Sequence, residues 1–200
     1  LGGFDAAHLK AVHAYLFQDL PEHQPGVIRR DTDGWHKVRE LEGREASHVV
    51  HYARRVIEAK IDAILRDFGR PATLKGLRLD EAAARLAGLY GDLDHAHAFY
   101  EGNSRTLREF MRALTLAAGY TLDWTRVGIG TEARNALYLV RDVEVLKPTY
   151  PELTEARATA TDDRSEYEAW WHLTKLRELQ GENTLRHIIG AALSAREPEA

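Results

Sequence analysis

His97, Glu101, Gly102, Asn103, Arg105 and Arg108 fall within one short run, His-Ala-Phe-Tyr-Glu-Gly-Asn-Ser-Arg-Thr-Leu-Arg. It gathers a group that titrates near neutrality, a carboxylate, a turn without side-chain bulk and two guanidinium groups. A triphosphate is a ligand that would use all of them. His97 is the local group able to take a proton near pH 7. Arginine forks hold phosphate oxygens bidentately and stay charged at any working pH. Glu101 by itself would repel phosphate. Mg²⁺ resolves that conflict, because it takes carboxylate and phosphate oxygens together.

Such a turn needs an element to aim it. After Asn103 the pattern Arg105, Thr106, Leu107, Phe110, Leu114 and Ala117 is helical and runs to Gly119, a C′ glycine by position. The turn therefore opens a helix, where free backbone N–H groups and the positive end of the macrodipole favour an anion. Gly102 lets that backbone come close, and the side chain of Ser104 either strains a position that wants positive φ or adds a hydroxyl donor to the phosphates. Arg105, Arg108 and Arg112 recur at offsets of three and four. They emerge as one stripe from the anion-binding end, so that two of them reach successive phosphates. Phe99, between polar positions, is expected to point inward.

The run resembles the signature of the Fic family, H-x-F-x-(D/E)-G-N-(G)-x-x-R with a further arginine inside it. The resemblance extends to Phe4–Asp19, which looks like the helix that opens many such domains, and to Ala118-Gly119-Tyr120 and Leu122-Asp123-Trp124. It implies that His97 is the general base that deprotonates a target hydroxyl, and that Glu101 holds Mg²⁺ on the α- and β-phosphates of ATP. Asn103 would orient the α-phosphate, the amides around Gly102 and Ser104 would form an anion hole, and Arg105 and Arg108 would meet the β- and γ-phosphates. The implied reaction is transfer of AMP to a Tyr, Thr or Ser hydroxyl of a protein. Ala98 stands where a proline is common and Ser104 where a glycine is usual. The resemblance gives two settings, toxins that modify type II topoisomerases and secreted effectors that modify host small GTPases, and the toxin setting is the expectation. A nucleotide-binding module without turnover is the alternative that Ser104 keeps open. The inhibitory pattern Ser/Thr-x-x-x-Glu-Gly/Asn finds no match, since Leu179 follows Thr174–Glu178. Inhibition is therefore expected from a separate antitoxin protein or from upstream residues.

With 200 residues, 44% hydrophobic and 29% charged, the chain suits a single domain over 1–200, its core at about 1–125 and C-terminal helices at about 126–200. A net charge of −4 argues against nucleic acid as partner, which needs a basic face. No cysteine means no disulfide framework and no thiol chemistry. No apolar run has membrane-spanning length and the first residues show no signal peptide, so a cytoplasmic protein is expected, with delivery into a host cell left open.

The chain reads as an all-α bundle. Leu9, Val12 and Leu16 follow an Asp5 cap, and Val50, Ala53, Ile57, Ile61, Ile64 and Phe68 predict one long helix behind Ser47, stopped at Gly69 and Pro71. Leu86, Leu89 and Leu93 lead into the His97 loop. Later helices are expected over Glu132–Val145, Ser165–Leu179 and Thr184–Ser194, with a loop or frayed helix end at Ala156–Arg164. One small hairpin is expected between Gly26 and Gly43 with its turn at Asp33-Gly34. By the family resemblance it is a flap that docks the target by strand pairing, with Gly34, Trp35, His36, Lys37 and Val38 as its docking residues. His48 and His51 share a helix face in this reading without a third ligand. His95 has no catalytic role, and Arg112 belongs to the solvated face.

Overall fold

The computed structural model describes residues 3–32, 35–43, 47–127, 129–147 and 164–196. Helix α3 (Leu79–Ala96) is the axis of the molecule, with Leu86, Leu89, Tyr90 and Leu93 buried along its length. Helix α1 (Ala6–Leu16) begins where the Asp5 carboxylate accepts the His8 N–H at 2.9 Å, as the sequence predicts. Helix α4 (Asn103–Ala118) packs Phe110, Met111 and Leu114 fully into the core. Phe4, ahead of α1, meets Phe110 edge-on at 5.7 Å. Full burial of each large side chain stabilises by about 1.5–3 kcal/mol, so these contacts fix α4 against α1 and α3. Helix α4 ends at Gly119 with φ 93°, the predicted C′ glycine.

The remaining helices are α2 (Ile57–Phe68), α5 (Thr131–Leu146), α6 (Arg164–Gln180) and α7 (Leu185–Ala192). A cluster of Leu139, Val143, Leu146, Leu173 and Leu176 joins α5 to α6. The main core takes residues from Ala6 to Leu193, including Leu185 and Ile189 of α7. No helix of the described residues is long and apolar enough to cross a membrane.

The all-α reading with a small hairpin holds, with differences in the β parts. The hairpin pairs β1 (His36–Glu40) with β2 (Ser47–His51), antiparallel with Val38 opposite Val49. Its connection is 41–46, downstream of the Asp33-Gly34 turn expected from sequence, and Asp33 and Gly34 lie outside the described residues. The helix expected from Ser47 starts only at Ile57, because His48, Val50 and Tyr52 are buried with a period of two. A second two-stranded ladder, unforeseen, pairs β3 (Tyr120–Leu122) with β4 (Leu193–Ala195). It ends α7 at Ala192, so the helix predicted to Ser194 is shorter. Of the loop expected at Ala156–Arg164, residues 156–163 lie outside the described residues, and Arg164 opens α6.

The hairpin is pinned to α5. Leu41 joins the α5–α6 cluster, and Val50 and Tyr52 pack with Val145. Asp142 of α5 accepts from Arg39 Nε at 2.8 Å and lies 2.8 Å from His48 Nε2, so one carboxylate holds both strands. Burial opposes its charge, but the bonds from His48 and Arg39 keep the Asp142 carboxyl below the usual range.

Candidate active site

The loop from His97 to Gly102 leaves the C-terminus of α3 and enters the N-terminus of α4, bringing the chemistry-bearing residues onto one cleft. His97 is the C-cap of α3 with φ 47°, a left-handed conformation rare outside glycine. That turn aims its side chain at the cleft, where it is only 3% exposed and neither ring nitrogen has a partner among the described residues. Burial, then Lys37, Arg29, Arg141 and Arg39, push its pKa well below the ordinary value of 6.5. The imidazole is therefore neutral at pH 7, able to accept a proton.

Phe99 points inward as expected, stacked on His13 at 3.8 Å. Asn103 fixes the loop: its Oδ1 accepts the Phe99 N–H at 2.9 Å and its Nδ2 donates to the Phe99 carbonyl at 2.6 Å. Its amide is thus committed to shaping the turn. Gly102 has φ 79°, and a Cβ there would stand 2.4 Å from the Phe17 ring. The backbone penalty of about 1–2 kcal/mol adds to overpacking of about 1–3 kcal/mol. Gly102→Ala is accordingly expected to lower stability by the sum of the two in denaturant titration; a change within about 0.5 kcal/mol, ordinary for a surface site, would contradict this packing.

Glu101 stands at the mouth, with Oε1 accepting the Gly102 N–H at 3.2 Å and Oε2 3.7 Å from Lys37 Nζ. Among the described residues no group of three or more His, Cys, Asp or Glu could hold a metal. One exposed carboxylate fits a Mg²⁺ that arrives with phosphate oxygens and water as its other ligands, and Lys37 is the cation it would displace.

Arg105 lines the cleft with its guanidinium 4.5 Å over the Phe17 ring. Arg108 is not among the side chains lining it; its Nε donates back to the Ser104 carbonyl at 3.3 Å. Of the expected docking residues, Lys37 lines the cleft, Trp35 lies 6.5 Å from His97 ring to ring, and His36 and Val38 are exposed on the opposite face of β1. Arg112 pairs with Glu109 on the surface at 2.7 Å, as expected. His95 Nδ1 is 3.0 Å from the Val145 carbonyl, a structural contact.

Burial and the nearby Lys60 lower the His95 pKa to about 4, from 6.5 in the unfolded chain. The unfolded state binds the proton first as pH falls, so this contribution is complete above about pH 6.5 and lost between there and about 4. Between pH 7 and 5 His95 is expected to cost about 2 kcal/mol of stability. Denaturant titration at both values checks this, and the difference should shrink in His95→Gln.

Four residues of the cleft, Arg39, Tyr52, Tyr138 and Arg141, escape the sequence reading. Arg141 of α5 is buried, held by Asp94 of α3 through Nη2 at 2.7 Å and Nε at 3.1 Å, and its Nη1 lies 3.4 Å from Ser104 Oγ. Burial works against its charge, and Asp94, Tyr90 and Asp142 together offset that and raise its pKa. Arg39 reaches the same cleft from β1 and Tyr52 from just after β2, where its ring lies 3.9 Å from that of His97. The only hint in sequence is Arg141-Asp142 inside an otherwise apolar helical stretch. Lys37, Arg39, Arg105 and Arg141 against Glu101 make the cleft strongly cationic, as a polyphosphate site must be.

The Fic/DOC family profile matches residues 3–115, more than half of the sequence and the whole of this loop. The chain belongs to the Fic/DOC family. Two curated relatives named as adenylyltransferases are similar to it. It is 35% identical over 126 residues to "Protein adenylyltransferase VbhT" of Bartonella schoenbuchensis, covering 63% of this chain and 24% of that protein. It is 31% identical over 129 residues to "Probable protein adenylyltransferase y4lH" of Sinorhizobium fredii, covering 63% and 60%. The chain thus spans a quarter of one relative and three-fifths of the other. Among solved structures it shares the fold of the effector BepC of Bartonella tribocorum with bound AMPPNP, with TM-score 0.55, 22% identity and coverage of 98% and 77%. It also resembles an N-terminal Fic domain from Bartonella quintana with bound ADP, with TM-score 0.57, 23% identity and coverage of 98% and 76%.

Proposed function

We propose that this Fic domain is a protein adenylyltransferase that moves AMP from ATP to a Tyr, Thr or Ser hydroxyl of a target protein. The observation that carries the reading is His97, a buried neutral imidazole with both nitrogens unpartnered, facing a cationic cleft at the N-terminus of α4. The names of the two relatives support the same activity.

In the proposed reaction the acceptor oxygen attacks the α-phosphorus and gives its proton to His97. The bond from that phosphorus to the α,β-bridging oxygen breaks, and pyrophosphate leaves. Free N–H groups at the start of α4, the Ser104 hydroxyl and Arg105 receive the phosphates, with Arg108 reaching the terminal phosphate once it swings from the Ser104 carbonyl. Asn103 and Gly102 keep the turn in shape. Mg²⁺, held by Glu101 and the phosphates, would supply charge to the leaving pyrophosphate. The work is positioning and charge stabilisation, which is what phosphoryl-type transfer asks of a protein.

The proposed target is type II topoisomerase in a toxin setting within the bacterial cytoplasm, with a separate antitoxin protein restraining the enzyme. Host small GTPases, reached by secretion, are the alternative. Peptide mass spectrometry after incubation with ATP, Mg²⁺ and each purified candidate tests both. A hydroxyl residue gaining one AMP supports the activity and names the target. Nucleotide binding with no modified hydroxyl on either candidate, or on proteins of a bacterial lysate, favours the binding module.

A further inference from the structure

We infer that Arg29 is a positioning residue for His97, its guanidinium tying the carbonyls on both sides of the imidazole into one rigid support. The inference rests on His97 acting as the base. With no hydrogen bond to either ring nitrogen among the described residues, the ring is oriented by what it packs on and by the backbone that carries it. It packs on Tyr52. The backbone is in a left-handed conformation that a β-carbon disfavours, so something must hold it there.

Arg29 does so from both sides. Its Nε donates to the His97 carbonyl at 2.6 Å and its Nη2 to the Ala96 carbonyl at 3.2 Å, at the turn itself. The same Nη2 donates to the carbonyl of Ala53, the residue after Tyr52. Its own backbone N–H bonds the Ala98 carbonyl at 2.9 Å. One planar group thereby sets the spacing between the segment that carries the imidazole and the segment that carries the ring beneath it. The indole of Trp35 covers it at 4.9 Å, and the side chain is 2% exposed. No described carboxylate pairs with it directly, so its buried charge is spent on backbone carbonyls. A lysine has no fork to span them.

The test compares Arg29→Lys, which keeps the charge and loses the fork, with Arg29→Gln, which loses the charge and keeps an amide donor, using ATP, Mg²⁺ and the modified target. Circular dichroism checks that each is folded. Both are expected to lower kcat for AMP transfer at least about tenfold, with KM for ATP within about twofold of wild type, since the phosphate residues are untouched. The acid limb of kcat/KM should move to higher pH in Arg29→Gln alone, because taking a cation from beside the imidazole raises its pKa. The other charged or titratable groups around His97 are Lys37 and Arg39 from β1, Tyr52 after β2, Arg141 from α5, and Glu101 and Arg105 at the cleft, all unchanged. Partial unfolding would lower the rate without moving that limb. Wild-type transfer with kcat and acid limb unaltered in both variants overturns the inference alone, whereas no transfer by wild type is a failure of the proposed activity. If neither variant folds, Nε–H exchange of Arg29 in ¹⁵N-arginine-labelled wild type decides: protection like that of α3 amides supports the tie, and exchange at the rate of exposed arginines overturns it.

Discussion

Replacing His97 with alanine is expected to lower the rate of AMP transfer by about 10²–10⁴-fold, the range for losing a positioned general base. The loss should appear in kcat. In the proposed reaction the phosphates are received by the start of α4 and the arginines, so ATP affinity measured by calorimetry should stay within about threefold. Because burial and four cations hold the imidazole neutral, the acid limb of the wild-type kcat/KM profile is expected below pH 6.5. Bound triphosphate brings negative charge beside the same cations, so the limb in kcat should lie higher than that in kcat/KM. An alanine variant with the wild-type rate would remove His97 from the chemistry.

The second large effect is on stability. Arg141→Met is expected to cost about 3–5 kcal/mol, because it strands a buried carboxylate. Asp94 is 1% exposed, both bonds from Arg141 fall on its Oδ2, and its Oδ1 has no partner. Arg39 also acts on Asp94, but its guanidinium is bonded to Asp142 and does not replace the lost pair. Against a total stability of about 5–15 kcal/mol, that is a large share. Asp94→Asn combined with Arg141→Met removes both charges and should recover much of the loss, since burying a pair gains little over apolar packing. Denaturant titration of the three proteins reads the cycle. A loss under about 1 kcal/mol in Arg141→Met would mean that the ion pair is not buried as described.

Local rules made most of the site legible. The His97–Arg108 run, the start of α4 at Asn103 and its end at Gly119 follow from capping, glycine conformation and helical spacing, all read within a few residues. Helix α5, expected at Glu132–Val145, spans Thr131–Leu146 for the same reason. The hairpin is harder to read because His48 and Val50 of β2 and Tyr52 just after it are buried, and a histidine facing inward hides the alternation that marks a strand. Val50 and Ala53 also fit the helical spacing of Ile57 and Ile61, so the sequence of β2 is equally compatible with a helix. The cleft's further walls depend on partners far apart in sequence. Arg141 meets Asp94 across 47 positions and Arg39 meets Asp142 across 103. Arg29 falls in the stretch expected to form the hairpin, yet its buried guanidinium lies against the His97 turn. Gly102 shows both cases: its place in the turn is local, whereas the Phe17 ring that forbids a side chain comes from just beyond α1.

The most direct measurement is transfer from ATP tagged at either the α- or the γ-phosphate, with Mg²⁺ and bacterial lysate, by wild type and His97→Ala. Adenylyl transfer with His97 as base predicts a labelled protein band from α-tagged ATP only, lost in the variant. Label from γ-tagged ATP, or equal α-label with and without His97, would contradict it.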